Sequence, residues 1–267
     1  MRKSFCGWYL KCQSDTQTLA VIPAVHGSSQ SVQLITDDGV WTFSQPFGNS
    51  CFSPEGFALD LHGNGVSAVG EVKFGALSPI KYDIMGPFQY VPFLQCRHSI
   101  VSMLHRVEGN ICVNNVLYSF HHDSGYIEGD RGYSFPKEYA WTQTFFDGGS
   151  LMLSAADIPL LPFHFTGVIG IILWNGKEYR LATYLGAKLI RAANGELLVR
   201  QGPYTFSAKL IQKHALPLSA PVRGNMVRTI HESASCRAAY RFEKNGAPLF
   251  AFETDRASFE FEYGGKS

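Results

Sequence analysis

The chain has 267 residues, enough for one large or two small domains with a substantial core. Only 17% of them are charged, against roughly 25% in an ordinary soluble chain, and the net charge is +1. The lysines and arginines are dispersed, so neither nucleic acid nor an anionic membrane has a patch to bind. No apolar run approaches the length of a transmembrane segment.

Arg2 and Lys3 precede only Phe5 to Leu10 before Lys11 interrupts, too short a run for a secretory leader. Cys6, Cys12, Cys51, Cys96, Cys112 and Cys236 form no C-x-x-C pair and no regular ladder. A cytoplasmic protein with reduced thiols is the expectation. Gly63-Asn64-Gly65 reads as a hairpin turn rather than a phosphate cradle.

The run Met85 to Phe93 leads into Cys96-Arg97-His98. If the backbone is extended there, Cys96 and His98 share a face, as a Cys-His nucleophile or as a packed thiol beside a hydrogen-bonded imidazole. A hairpin is predicted from Ile100 to Phe120 with Glu108-Gly109-Asn110 as its turn. On its first strand Val101, Met103, His105 and Val107 face one way. His121 and His122 are adjacent, and on a strand they point oppositely and cannot ligate one ion without a turn, so no metal site is expected.

Between Gly125 and Gln143 the chain crowds Glu128, Asp130, Arg131, Lys137 and Glu138 among five aromatic residues. Extended backbone puts Tyr126, Glu128 and Asp130 on one face and Ile127 and Arg131 on the other. Two carboxyls on one wall raise each other's pKa, and a dry aromatic setting raises both, so one can hold a proton near neutral pH and deliver it. The bland alternative is a solvated ion cluster at a turn made by Gly125, Gly129 and Gly132.

Beyond this cluster, Ser154 to Ile158 reads as a turn of helix and Gly148-Gly149 as a hairpin turn. Phe163 to Leu189 gives the clearest hairpin, turning at Asn175-Gly176, with Arg180, Tyr184 and Lys188 on a polar face. Arg223 to Ser233 reads as one short helix. A third hairpin turns at Lys244-Asn245-Gly246, and Ser258 to Tyr263 alternates without exception. The whole is expected to be all-β. No repeat of motifs is visible, and length and strand count favour two antiparallel β-barrels, residues 1–135 and 136–267.

Three ordered matches resemble the tocopherol cyclase family, and more distantly carotenoid hydratases and lipocalin-like pericyclases. Phe5-Cys6-Gly7-Trp8-Tyr9-Leu10-Lys11 is similar to the family's F-x-G-W-Y-[FY]-[KR] strand. Gly125 to Gly132 is similar to its G-Y-x-E-K-N-W-G element, and Pro136 to Gln143 to its P-x-x-[WY]-x-W-x-Q. The resemblance implies two lipocalin-like barrels with a hydrophobic small-molecule ligand, prenylated or polyene-like, in an apolar cavity in or between them. It also implies cyclisation or hydration without cofactor or metal: an acid protonates an alkene, and a phenol oxygen captures the cation.

By motif position Glu128 is the acid. Asp130, Arg131 and His98 are expected to assist it, with Trp8, Met103, His105, Tyr126, Tyr133, Tyr139, Trp141 and Gln143 against the ligand. Gly129, Asp130 and Arg131 stand where the family has Lys, Asn and Trp, which removes one aromatic and adds a charged pair. The alternative is a carrier that holds a lipid or isoprenoid in an apolar barrel and catalyses nothing.

Overall fold

In the computed structural model, the described residues are 4–63, 65–92, 94–160, 163–212 and 216–264. Arg2, Lys3, Asn64 and Phe93 lie outside them. Nearly everything described is strand, in two antiparallel sheets.

The first sheet runs, in spatial order, β4 (Val40–Phe43), β3 (Ser29–Thr36), β2 (Thr18–His26), β1 (Phe5–Gln13), β9 (Val116–Gly132), β8 (Cys96–Val113), β7 (Val66–Phe74), β6 (Gly56–Gly63) and β5 (Cys51–Ser53). The second runs β13 (Lys177–Ala182), β12 (Phe163–Trp174), β11 (Gly149–Leu160), β10 (Tyr139–Phe146), β19 (Ala247–Phe261), β18 (Asn225–Lys244), β16 (Tyr204–Gln212), β15 (Glu196–Gln201) and β14 (Lys188–Ala193). In addition β17 (Leu216–Val222) pairs with β18. Each sheet places its last strand beside its first, so the strand order repeats from one to the other. This duplication leaves no trace in the motifs. No helix among the described residues is long and apolar enough to cross a membrane.

Contacts divide the chain into two compact units. One is Met1–Asp83, Cys96–Ser134 and Leu218–Arg228; the other is Ile84–Gln95, Phe135–Pro217 and Thr229–Ser267. Besides its sheet, each unit therefore holds a short segment from the opposite half of the sequence.

Alternation explains how each sheet makes a core. In the first unit Leu10, Cys12, Val21, Leu34, Leu59, Val107, Tyr118, Phe120 and Ile127 turn inward and pack on one another. Phe43 of β4 lies beside Gly63 of β6, so the curled sheet brings its two margins together. In the second unit Ala140, Leu153, Ile172, Val199, Phe206, Tyr240, Phe242 and Phe259 do the same. In both units these inward side chains pack against one another as a hydrophobic core.

The Asn175-Gly176 turn forms as expected, both residues at positive φ (48° and 71°), and so does the turn at Asn245-Gly246. Elsewhere the structure corrects the reading. The first long hairpin turns at Asn114-Asn115, both at positive φ, while Glu108 to Asn110 continue β8 in register with β9. Two asparagines bear left-handed backbone better than most residues. Ser154 to Ile158 lies inside β11, paired throughout with β12, and the segment after Arg223 is a turn into β18, which pairs with β17 and, from Glu232, with β19. Gly125, Gly129 and Gly132 are not a turn; all three lie within β9. Arg180 is not on a solvated face: it is buried, 3.0 Å from Glu178 and 3.0 Å from the Tyr184 hydroxyl.

Candidate functional site

The site forms where β9 is flanked by β8 and β1. A bulge decides which side chains face where. His122 sits at φ 57°, the register slips nearby, and the inward set changes from Tyr118 and Phe120 to Ile127. Tyr126, Glu128 and Asp130 thereby take the outer face, opposite the packed interior of their unit. Glu128 is nevertheless only 5% exposed and Tyr126 fully buried. Register sets His98 opposite Asp130 on β8, and Tyr9 opposite Glu128 on β1.

Five side chains then make one chain of polar contacts. The Tyr126 hydroxyl donates to Glu128 Oε2 at 2.5 Å. His98 Nε2 lies 3.1 Å from the same oxygen, an ion-pair distance rather than an aligned hydrogen bond. On the other edge of the ring, Nδ1 is 3.0 Å from Asp130 Oδ1. Cys96 donates its thiol to that Asp130 oxygen at 3.3 Å.

Each ring nitrogen faces an acidic side chain, Nδ1 in a hydrogen bond and Nε2 at ion-pair distance, an arrangement that suits hydrogen on both. Burial alone would push the His98 imidazole down; the charges of Glu128 and Asp130, with the hydrogen bond to Asp130, overcome it and hold it well above its ordinary value. The structure thus seats a proton on His98, between the two acids. Burial, reinforced by the Glu128 charge, pushes the Tyr126 phenol well up, and burial with the Asp130 charge does the same to the Cys96 thiol. Its thiol, donating to Asp130 and held up by burial, matches the packed-thiol reading of Cys96.

Among the described residues, His98, Glu128 and Asp130 are also the group whose donor atoms lie close enough together for one metal ion, all within 4.8 Å. The imidazole, however, stands between the carboxylates, one nitrogen to each. An ion on either nitrogen would leave the other carboxylate at the far edge of the ring. The arrangement fits a doubly bonded imidazolium better than a metal centre.

Several expected residues lie elsewhere. Arg131 is exposed and alternates to the face opposite Asp130. Trp8, 41% exposed, lies over Gly129 on that opposite face, where a Cβ at 129 would meet the indole at 2.6 Å. His105 packs inward beside Val107 and edge-on to Phe74, its Nδ1 3.0 Å from the Ser102 hydroxyl; burial lowers its pKa to about 4. It is therefore a neutral core histidine. Met103 is buried where β8 bulges, and its amide donates to Ser78. Tyr133 is half-buried just past β9, its carbonyl accepting from the Gly224 amide.

Tyr139, Trp141 and Gln143 belong to the second unit, where Tyr139 and Trp141 lie at a different acid. All three are buried on the face of β10 opposite Ala140. Tyr139 donates to Glu260 Oε2 at 2.5 Å, and Trp141 faces Glu260 in register. Glu232 opposes Glu260 across β18 and β19, at 2% and 9% exposure. Sequence reasoning missed both glutamates. Glu260 sits in a strictly alternating strand, where the side opposite the phenylalanines is ordinarily wet. Lys11, 1% exposed and opposite Tyr126, was also missed; it brings a basic side chain to the face of Glu128 and Asp130.

No family model matches the chain, and no curated protein does. Solved structures do match. CghA, alone and with Sch210972, has a TM-score of 0.64 in both cases, with 9% and 10% identity. The alignments cover 100% and 98% of this chain and 90% and 89% of CghA. A Nitrosomonas europaea protein provisionally assigned as ATTH gives a TM-score of 0.51 at 10% identity, over 99% of this chain and 93% of that one. At such identities the likeness is one of fold: an all-β chain of two lipocalin-like antiparallel β units.

Proposed function

We propose that this chain is a cofactor-free acid–base enzyme of the tocopherol cyclase type, cyclising or hydrating a prenylated quinol or polyene-like small molecule. The observation that carries the reading is the chain of buried Tyr126 and Glu128 with partly buried His98 and Asp130, linked at 2.5, 3.1 and 3.0 Å. Burying that many titratable groups is unfavourable to stability, and sites that move protons are where such arrangements accumulate. The motif resemblance and the fold shared with CghA, one structure of which holds Sch210972, support the same class.

In this reading the proton resides on His98 and reaches the substrate through Glu128. Glu128 protonates the trisubstituted alkene, the quinol oxygen captures the tertiary cation, and the hydroxyl proton returns to Glu128 and His98. No proton is consumed and no electron is transferred, so the product is an isomer of the substrate. In the hydration variant a water oxygen takes the place of the quinol. Asp130 orients the imidazole and Tyr126 orients the carboxyl group.

Native mass spectrometry of the purified protein, with extraction of what it retains, is expected to yield two compounds of equal mass for the cyclase, or differing by one water for the hydratase. Glu128→Gln preserves shape but not the transferable proton. It is expected to retain substrate only and to lower turnover by about 10²- to 10⁴-fold. A single unaltered lipid from the wild-type protein, with unchanged behaviour of Glu128→Gln, identifies a carrier instead.

A further inference from the structure

The first unit carries a second concavity on the same outer face as Glu128, some strands away. It is a cleft of about 290 Å³ lined by His26, Ser29, Ser31, Gln33, Thr42, Ser44, Ser219, Asn225 and Met226. Among the described residues, no lysine, arginine or carboxylate is in that lining, and Met226 is its one apolar member. Its wall is built rather than incidental. Gln33, 2% exposed, spends both ends of its amide on Ser219, donating to the carbonyl at 3.0 Å and accepting from the amide at 2.9 Å. The Gly224 amide bonds the Tyr133 carbonyl at 2.7 Å, fixing the same 218–228 segment over β2 to β4. Ser31, 4% exposed, has its hydroxyl 3.3 Å from His26 Nε2. Hydroxyl and amide groups without charge recognise a ligand group of the same kind. A charged group would lose its water here with no counter-charge to replace it.

Register connects this cleft to the proton site. Ser31 pairs with Ala24, Ala24 with Gly7, Gly7 with Asp130, and Asp130 with His98. Directly opposed residues share a face, so the five lie in one row across five strands. From Asp130 to Ser31 is three strand spacings, about 14 Å. Between them stand only Gly7 and Ala24. A Cβ at Gly7 would meet nothing nearer than Ala24 Cβ at 3.5 Å and the Pro23 carbonyl at 3.7 Å. The row thus sets only two small residues, Gly7 and Ala24, between a proton site at one end and a neutral polar cleft at the other.

We infer that the cleft is a subsite for the uncharged, hydroxyl- or amide-bearing end of the molecule whose reactive end meets Glu128 and His98. The substrate class is then an elongated amphiphile with a neutral polar head about the size of one sugar ring, since the volume lies at the small end of ligand sites. The link to turnover rests on the acid–base reading above; the cleft itself does not.

Backbone amide NMR of the full chain tests both parts without turnover. Methyl β-glucoside is expected to shift the amides of Ser31, Thr42, Ser44 and Ser219 saturably, while glucose 6-phosphate and glucosamine do so at least tenfold more weakly. Thr42→Val and Ser44→Ala, both at exposed positions, should each weaken the glucoside about two- to tenfold. His98→Gln should leave its binding unchanged. Octyl β-glucoside below its micelle concentration should bind at least tenfold tighter than the methyl compound and also shift Gly7, Ala24 and Asp130. Absence of saturable shifts at the cleft overturns the subsite. Octyl glucoside that perturbs the cleft but leaves Gly7 and Ala24 unmoved overturns its connection to the proton site. Loss of turnover alone touches only the enzymatic reading.

Discussion

His98 and His105 lie on the same strand, and their surroundings drive them in opposite directions. His98, between two carboxylates, has a raised pKa; a group of this kind stabilises the fold fully below its unfolded value of 6.5 and loses that contribution as pH climbs through the folded value. His105, dry and neutral, has a pKa lowered to about 4; its contribution is complete above 6.5 and is lost as pH falls toward 4. Stability is therefore expected to peak near pH 6.5 and to fall on both sides, each limb at up to about 1.4 kcal/mol per pH unit. Tyr126 and Cys96 also have raised values, but their unfolded references of 10.0 and 9.0 place their effect at higher pH. Urea unfolding between pH 5 and 8.5 checks this: His98→Gln should flatten the alkaline limb and His105→Gln the acid limb. An unchanged alkaline limb in His98→Gln would show that the imidazole is not charged in the folded protein. Period-two alternation made the shared face of Tyr126, Glu128 and Asp130 legible in the sequence. That His98 would stand between the two carboxyls was not, because it depends on a β8 register set by bulges at Ile100/Ser102 and beyond.

At the level of the strand, β9 owes its glycines to its neighbours rather than to its own backbone. Gly125 and Gly129 are not at left-handed φ, yet each lies under a ring. A Cβ at Gly125 would meet His105 Nε2 at 2.4 Å and Val107 Cγ1 at 2.5 Å, and one at Gly129 would meet Trp8 at 2.6 Å. The consequences differ because the obstacles differ. His105 and Val107 are 3% and 0% exposed and cannot withdraw, whereas Trp8 is 41% exposed and can swing outward. Gly125→Ala is expected to destabilise by about 1–3 kcal/mol, the range for overpacked cores, and Gly129→Ala by less. Comparing denaturant midpoints measures both, and equal losses would mean that Trp8 is held as firmly as His105. Three glycines within eight residues read as a turn in the sequence, since local chemistry cannot tell a glycine that bends the chain from one that makes room for a partner far along it. The true turns, at Asn114-Asn115 and Asn175-Gly176, carry the residues that positive φ selects.

For the whole molecule, the shared strand order makes Glu128 and Glu260 counterparts. Each lies on the last strand of its sheet, facing an aromatic residue of the first strand, Tyr9 or Trp141, and each accepts from a tyrosine at 2.5 Å. Counting strands predicted two all-β units, but their composition could not be read from the linear order. Residues 84–95 join the second unit, where the Tyr184 hydroxyl donates to the Ile84 carbonyl at 3.0 Å and Phe88 stacks on Phe165. Residues 218–228 join the first, clamped by Gln33. We propose residues 1–135 and 136–267 as the two folding halves, each completed by a segment that the other carries. A fragment of residues 1–135 then leaves Gln33 without Ser219, an unsatisfied buried amide that alone is unfavourable by about 1–3 kcal/mol. A fragment of residues 136–267 loses the partners of Tyr184 and Phe165. Expressed separately, both should unfold at lower urea than the intact chain; expressed together, they should associate and regain most of the difference. Two fragments as stable apart as the full chain would show that the exchanged segments bind too weakly to matter, and that each half holds its fold by its own core.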